Sequence, residues 1–79
     1  MSEKSRIRWL CRRGMKELDV LLERFLGAEY EMLDERERME LLALVQMEDP
    51  DLYALIMERS APANETQADL LTRIRTFRA

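Results

Sequence analysis

The sequence predicts an all-α protein: a compact, single-domain bundle of five helices. Three observations carry that prediction. Apolar residues recur at helical spacing along the chain, and no stretch alternates apolar and polar residues with a period of two. Three helix starts carry recognisable capping residues, at Asp34, Asp49 and Asn64. The 79-residue chain is 47% hydrophobic and 37% charged with only two glycines and two prolines, a globular and helix-leaning composition. That length holds one domain, residues 1–79, with a modest core that removes ~60–65% of the unfolded surface from water.

Helix one is expected from Ser2 or Ser5 to Arg12, with Ile7, Leu10 and Cys11 facing inward. Gly14 breaks it, supplying the left-handed backbone or close approach that other residues reach only with strain. Helix two carries Met15, Leu18, Leu22 and Phe25 on one stripe and ends near Gly27–Tyr30. Asp34 as N-cap and Glu37 as its reciprocal partner open a third helix, whose stripe is Met39, Leu42 and Val45. On that reading an aspartate at Leu42 would unfold the bundle. Asp49 is expected to be the N-cap of helix four, with Pro50 at the first helical position. Leu52, Leu55 and Ile56 then turn inward, and the helix stops before Ala61–Pro62. Asn64 with Gln67 caps a fifth helix that packs Leu71, Ile74 and Phe77. The short connections favour antiparallel neighbours.

Composition narrows the function classes. The single cysteine, Cys11, excludes an internal disulfide, and without histidine a structural zinc site is not expected. A reducing compartment, the bacterial cytoplasm, fits best. No apolar run approaches the ~20 residues that span a bilayer. The basic start MSEKSRIRWLCRR contains Glu3 and runs directly into CRRGMKELD with no cleavage spacer, so it reads as a short folded helix and not as a presequence. The net charge of −3 hides a segregation. Residues 1–16 hold six Lys/Arg against Glu3 and carry +5; residues 17–58 hold three Arg against thirteen acids and carry −10. Residues 59–79 carry +2. A basic end beside an acidic body steers one oriented partner. Nucleic acid is a poor candidate, because the acidic body repels phosphates and no stacking aromatics interleave the arginines.

Enzyme signatures are missing: no histidine base, no Gly-rich phosphate loop, no nucleophile with an activator. Cys11 stands on the core stripe as a small hydrophobe. The acidic runs at Glu29–Glu37 and Glu48–Asp51 lack calcium-loop spacing and read as caps and a solvated face, and the six methionines read as core filler. Trp9 falls off the inward stripe of helix one and shares its side with Arg6, Arg12 and Arg13 at spacings of three and four. Two readings of it stand: a binding hot spot, or an indole tucked under the bundle edge beneath arginine stems. Glu17 likewise either serves the dipole of helix two or pairs with Arg13 across the glycine joint. An exposed glycine corner lets a partner's backbone approach closely, which points to a preorganised protein-binding corner.

The run Arg13-Gly14-Met15-Lys16-Glu17-Leu18-Asp19 resembles the R-G-x-x-E signature of the succinate dehydrogenase flavinylation factors, small bacterial proteins usually called SdhE and related to a mitochondrial assembly factor. The resemblance extends over nearly the whole chain: a basic helix with Trp9 and Cys11, an acidic middle, Asp49-Pro50-Asp51-Leu52 and a final helix. It implies a five-helix assembly chaperone, not an enzyme. Such a protein binds the flavoprotein subunit of succinate dehydrogenase, and by extension that of fumarate reductase. It promotes covalent attachment of FAD to a histidine of that subunit, while subunit and flavin supply the bond-forming chemistry. Arg13, Gly14 and Glu17 are the matching motif positions; Arg8, Trp9, Arg12, Met15 and Asp19 flank them and complete the expected partner-binding set. No catalytic residue, metal site or tight FAD site is expected on this chain, and it is expected to be a monomer.

The resemblance also admits a rival, an antitoxin-like regulator in a two-gene system with a membrane-associated partner, which leaves the R-G-x-x-E corner without a purpose. Membrane-surface binding through helix one is weaker, because the bundle needs Ile7, Leu10 and Cys11 for itself. Two departures stand out. Leu55, within DLYALIM, occupies a place where relatives commonly have tryptophan, and the chain ends at Phe77-Arg78-Ala79, short of the family's basic C-terminal extension.

Overall fold

A computed structural model describes residues 2–76. Its first helix, α1 (Glu3–Leu10), starts at Ser2, whose hydroxyl accepts the Ser5 amide at 3.1 Å. It closes two residues before the expected end, because the amides of Cys11 and Arg12 fold back in a tighter turn onto the carbonyls of Ile7, Arg8 and Trp9. Helix α2 (Lys16–Glu29) runs through Gly27 and continues as a 3-10 turn, Tyr30–Met32. The expected capping box opens α3 (Glu35–Val45): Asp34 accepts the Glu37 amide at 2.8 Å, and the Glu37 carboxylate accepts the Asp34 amide at 2.9 Å.

The fourth helix departs from expectation. Glu48, with extended backbone, is the N-cap of α4 (Asp49–Ile56), and Asp49 is already inside the helix. Its carboxylate is held by Arg13 and does not cap. In α5 (Glu65–Thr76), Asn64 accepts the Gln67 amide at 2.9 Å as expected. The Gln67 carboxamide oxygen, however, accepts from Ala63 at 2.8 Å, one residue upstream of the cap. No strand occurs among the described residues.

Helix α5 packs against α2, α3 and α4, while α1 docks on α3. The core therefore gathers around Leu70, Leu71 and Ile74, which meet the buried faces of the other helices. Leu52, Leu55 and Ile56 are buried as expected, and so are Ile7, Cys11, Leu18, Leu22 and Phe25. Phe77, also expected in the core, lies outside the described residues.

Two assignments of the core need correction. In α3 the buried stripe is Leu41, Leu44 and Val45; Leu42 is half-buried and Met39 is 67% exposed. The run ELLALV is apolar at four or more neighbouring positions, so spacing alone allows two rotations of the helix. Docking α3 between α1 and α5 selects the one that buries Leu41 and Leu44. The methionines also divide: Met15 and Met47 pack against the core, whereas Met32, Met39 and Met57 are exposed.

The test of an aspartate in α3 therefore moves from Leu42 to Leu44, which has no exposed surface. A domain of this length has about 4–12 kcal/mol of stability, and an unpaired buried carboxylate removes several kcal/mol of it. Leu44→Asp is expected to abolish the cooperative thermal transition seen by circular dichroism. Leu42→Asp is expected to keep a transition at lower Tm; the opposite order would reverse the assigned rotation of α3.

Candidate functional site

The site is the joint between α1 and α2. After the Cys11–Arg12 turn, Gly14 takes φ +82°, Met15 is extended, and α2 begins at Lys16. A Cβ on Gly14 would meet no atom within 4 Å, so left-handed backbone and not crowding selects glycine here. The same openness leaves the peptide backbone accessible from outside. Met15 offers no side-chain cap to α2. Asp19, in the first turn, instead accepts the Arg13 amide at 2.8 Å, and its own amide donates to the Met15 carbonyl at 2.9 Å. Both neighbours of Gly14 are thus tied to α2.

Helix α1 has only eight residues, too few to hold its direction alone. Its first turn is docked by the Tyr30 hydroxyl, which donates to Glu3 at 3.0 Å, and by a pair between Lys4 and Glu31. Its last turn is docked by Arg13. The guanidinium, with 9% of the side chain exposed, donates to the carbonyls of Leu10 and Val45 and to the Asp49 carboxylate. One cation thereby serves the C-terminal ends of α1 and α3, where carbonyls lack helical partners, and meets a counter-charge at the start of α4.

With α1 so fixed, Trp9 stands 69% exposed. The indole separates two hollows. One, of about 200 Å³, is lined by Ser5, Arg8, Trp9 and Arg12. The other is a groove of about 460 Å³ with Trp9 and Arg12 on one wall, residues 46–49 on the opposite wall, and Leu10, Arg13 and Val45 beneath. Arg12 is held only loosely, 3.9 Å from Glu23. Beyond the glycine, Met15, Lys16 and Glu17 frame a third hollow of about 170 Å³.

The eight expected site residues therefore fall into two groups. Arg8, Trp9, Arg12, Gly14 and Glu17 are exposed and Met15 is half-buried; Arg8, Trp9 and Arg12 share one hollow, Met15 and Glu17 another. Arg13 and Asp19 turn inward and tie the joint to the helices around it. Arg13 does not share the outward side of Trp9, because two helix ends and Asp49 draw its guanidinium under the groove. Its ion-pair partner is Asp49 and not Glu17, which sits exposed in the first turn of α2 where its charge favours the helix dipole. The exposure of Trp9 excludes the tucked reading. Sequence reasoning missed the opposite wall of the groove, Gln46, Met47 and Glu48, which carries no spacing signal and is brought in by the α3–α4 turn.

Cys11 is buried behind the joint. Burial pushes its thiol from the ordinary 9.0 up to about 12; Arg13 opposes the rise, and Glu23 and Asp19 add to it. It is held as a neutral thiol, which is neither a nucleophile nor a ligand at neutral pH. What the joint presents is an indole, loosely held arginines, an accessible backbone corner and a carboxylate.

This is a small helical protein with an exposed, Trp–Arg-lined corner suited to contact. The chain belongs to the family described as "Flavinator of succinate dehydrogenase", whose model matches residues 5–78. It is similar to the FAD assembly factor SdhE of Vibrio vulnificus strain CMCP6, 40% identical over 72 residues, 91% of this chain and 84% of that protein. The FAD assembly factor SdhE of Idiomarina loihiensis is 39% identical over 71 residues, 90% of this chain and 79% of that protein. That of Aliivibrio fischeri is 38% identical over 72 residues, 91% and 84% of the two chains.

The buried thiol gives a pH dependence with a definite sign. The folded state keeps a proton that the unfolded chain releases above its own, lower value. Stability is therefore full below about pH 9 and falls toward about pH 12, by up to ~1.4 kcal/mol per pH unit. Cys11→Ala is expected to remove that part of the decline in denaturant midpoints. Tyr30, whose hydroxyl is also pushed up, by burial and by its bond to Glu3, contributes to what remains. An alkaline decline equal in Cys11→Ala and wild type would show that the thiol is not desolvated.

Proposed function

We propose that this chain is an assembly chaperone that binds the flavoprotein subunit of succinate dehydrogenase and promotes covalent attachment of FAD to it. The single observation that carries this reading is the exposed Gly14 corner with Trp9 beside it, in a chain of the flavinator family. The fumarate reductase flavoprotein is proposed as a second partner, since the same corner would meet a homologous surface.

The proposed role is positioning. Arg8, Trp9 and Arg12 contact the subunit, the backbone at Gly14 approaches it closely, and Glu17 supplies a carboxylate at the edge. Binding orients a mobile part of the subunit so that its histidine and the flavin meet in attack geometry, while the subunit completes the bond itself. Orientation alone can lower a barrier by several kcal/mol, with an upper range of about 7–11. The chain contributes no reacting group and holds no FAD tightly. It acts as a monomer in the bacterial cytoplasm, a setting supported by a lone buried thiol. No described helix is long and apolar enough to cross a membrane.

The experiment is covalent flavin on the flavoprotein subunit, produced in cells lacking their own assembly factor and read by fluorescence on denaturing gels. Wild type is expected to restore the signal. Gly14→Arg places a long cation on the approach surface and is expected to abolish it. Gly14→Asn, which tolerates the left-handed backbone and stays short, should retain most of it. Trp9→Ala is expected to weaken subunit binding by about tenfold or more, as for an exposed aromatic anchor. No restoration by soluble wild type would remove the proposed function, and full activity of Gly14→Arg would remove the corner from it.

A further inference from the structure

The Asp49-Pro50 turn was singled out in the sequence as a helix start, yet its aspartate caps nothing. We infer that Asp49 is the positioning residue of the corner: its carboxylate orients Arg13, and through Arg13 it holds Gly14, Trp9 and the α3–α4 turn as one rigid surface. The consequence for a partner rests on the proposed function; the geometry does not.

Local needs of α4 do not account for this carboxylate. Glu48 occupies the N-cap position, no side chain makes a cap bond there, Pro50 occupies a first-turn position whose missing N–H costs nothing, and Asp51 places a second negative charge in the first turn. The Arg13 guanidinium, by contrast, has two neutral carbonyl partners and one charged one. Carbonyls accept over a broad range of directions, so Leu10 and Val45 alone leave the planar group free to swing. Asp49, bound at Nε, fixes both the plane and the charge.

What Asp49 fixes on one side, Asp19 completes on the other, through the Arg13 amide. Two carboxylates on two helices therefore grip the residue immediately before the glycine. Gly14 has no side chain to restrain it and takes its left-handed conformation only while its neighbours are held. A corner ordered before binding loses less freedom when a partner arrives, which is the physical advantage of the arrangement.

Arg75 supplies the comparison. At the opposite end of α4 it donates to the carbonyls of Leu55 and Ile56 at 3.1 and 3.2 Å, the same kind of bracket with no link to Gly14. Asp49→Ala and Arg75→Ala are compared in the full chain, at temperatures where the two have equal global stability. Amide hydrogen exchange is read at Arg13, which donates to Asp19, and at Asp19, which donates to Met15. These amides are expected to exchange about ten- to hundredfold faster in Asp49→Ala than in Arg75→Ala, the range for losing a bond to a charged group. Equal exchange in the two variants overturns the inference. Asp49→Asn, which keeps shape and removes charge, takes the place of Asp49→Ala if the latter does not fold.

The same panel is then titrated against the flavoprotein subunit. Weaker binding by Asp49→Ala, with Arg75→Ala close to wild type, is the expected result; indistinguishable variants again overturn the inference. If wild type itself fails to bind, the proposed function falls, and the exchange rates still decide the role of Asp49.

Discussion

The guanidinium of Arg13 lies where the ends of three helices converge, and the candidate site depends on that convergence. It satisfies carbonyls at the ends of α1 and α3 and meets the carboxylate that begins α4, while its backbone amide is held by α2. A charge with so little exposure is costly unless it is paired and hydrogen-bonded, and here Nε and one terminal nitrogen of the planar fork reach three acceptors in different directions. A lysine would bring a compact point charge to the same place and could not span them. Because α1 is too short to be stable alone, the orientation of Trp9 is a consequence of this bracket together with the Tyr30–Glu3 contact at the other end of the helix.

The same device recurs elsewhere. Arg75 closes the end of α4, and Arg73 links α5 to Glu29 of α2 and Glu37 of α3 while lying 5.8 Å from the centre of the Phe25 ring. Arg38 stacks 4.7 Å from the centre of Tyr30. A chain this small has limited apolar surface to bury, and arginine stems covering helix ends extend the packed interior without adding a larger core. The device also reshapes the surface field. Arg13 and Lys4 are matched by Asp49 and Glu31 and Arg12 more loosely by Glu23, so among the described residues of this end Arg6, Arg8 and Lys16, with Arg12, carry the more open positive charge. Arg8 and Arg12 line a hollow with the Trp9 indole, and Lys16 follows the open glycine by two residues.

Gly14 gives access to backbone but is the residue most prone to disorder, and both of its neighbours are anchored by Asp19. The lone thiol nearby is kept neutral and out of reach. The proposed positioning role would draw on this combination.

Much of this was legible in the sequence because it is local. The capping box at Asp34 and Glu37, the Asn64 cap and the left-handed Gly14 each involve residues within one helical turn, where spacing and side-chain chemistry alone decide the outcome. The position of Trp9 off the inward stripe of α1, and of Cys11 on it, followed from periodicity in the same way. Three features were not local and were not legible. The rotation of α3 was ambiguous within ELLALV, because several neighbouring apolar residues satisfy the period equally until α1 and α5 dock on either side. The partner of Arg13 lies 36 positions away, at Asp49, and competing carboxylates stand much closer in the chain. The opposite wall of the groove is formed by ordinary residues that matter only because the α3–α4 turn is drawn against α1. The sequence by itself thus determined the helices, the caps at Ser2, Asp34 and Asn64 and the glycine joint, since these depend on neighbours in the chain, but not the start of α4, where the distant Arg13 claims the Asp49 carboxylate. Only the tertiary structure decided which face of α3 is buried and whether Arg13 points to a partner or into its own fold, since helix docking chooses between partners that are equally acceptable chemically.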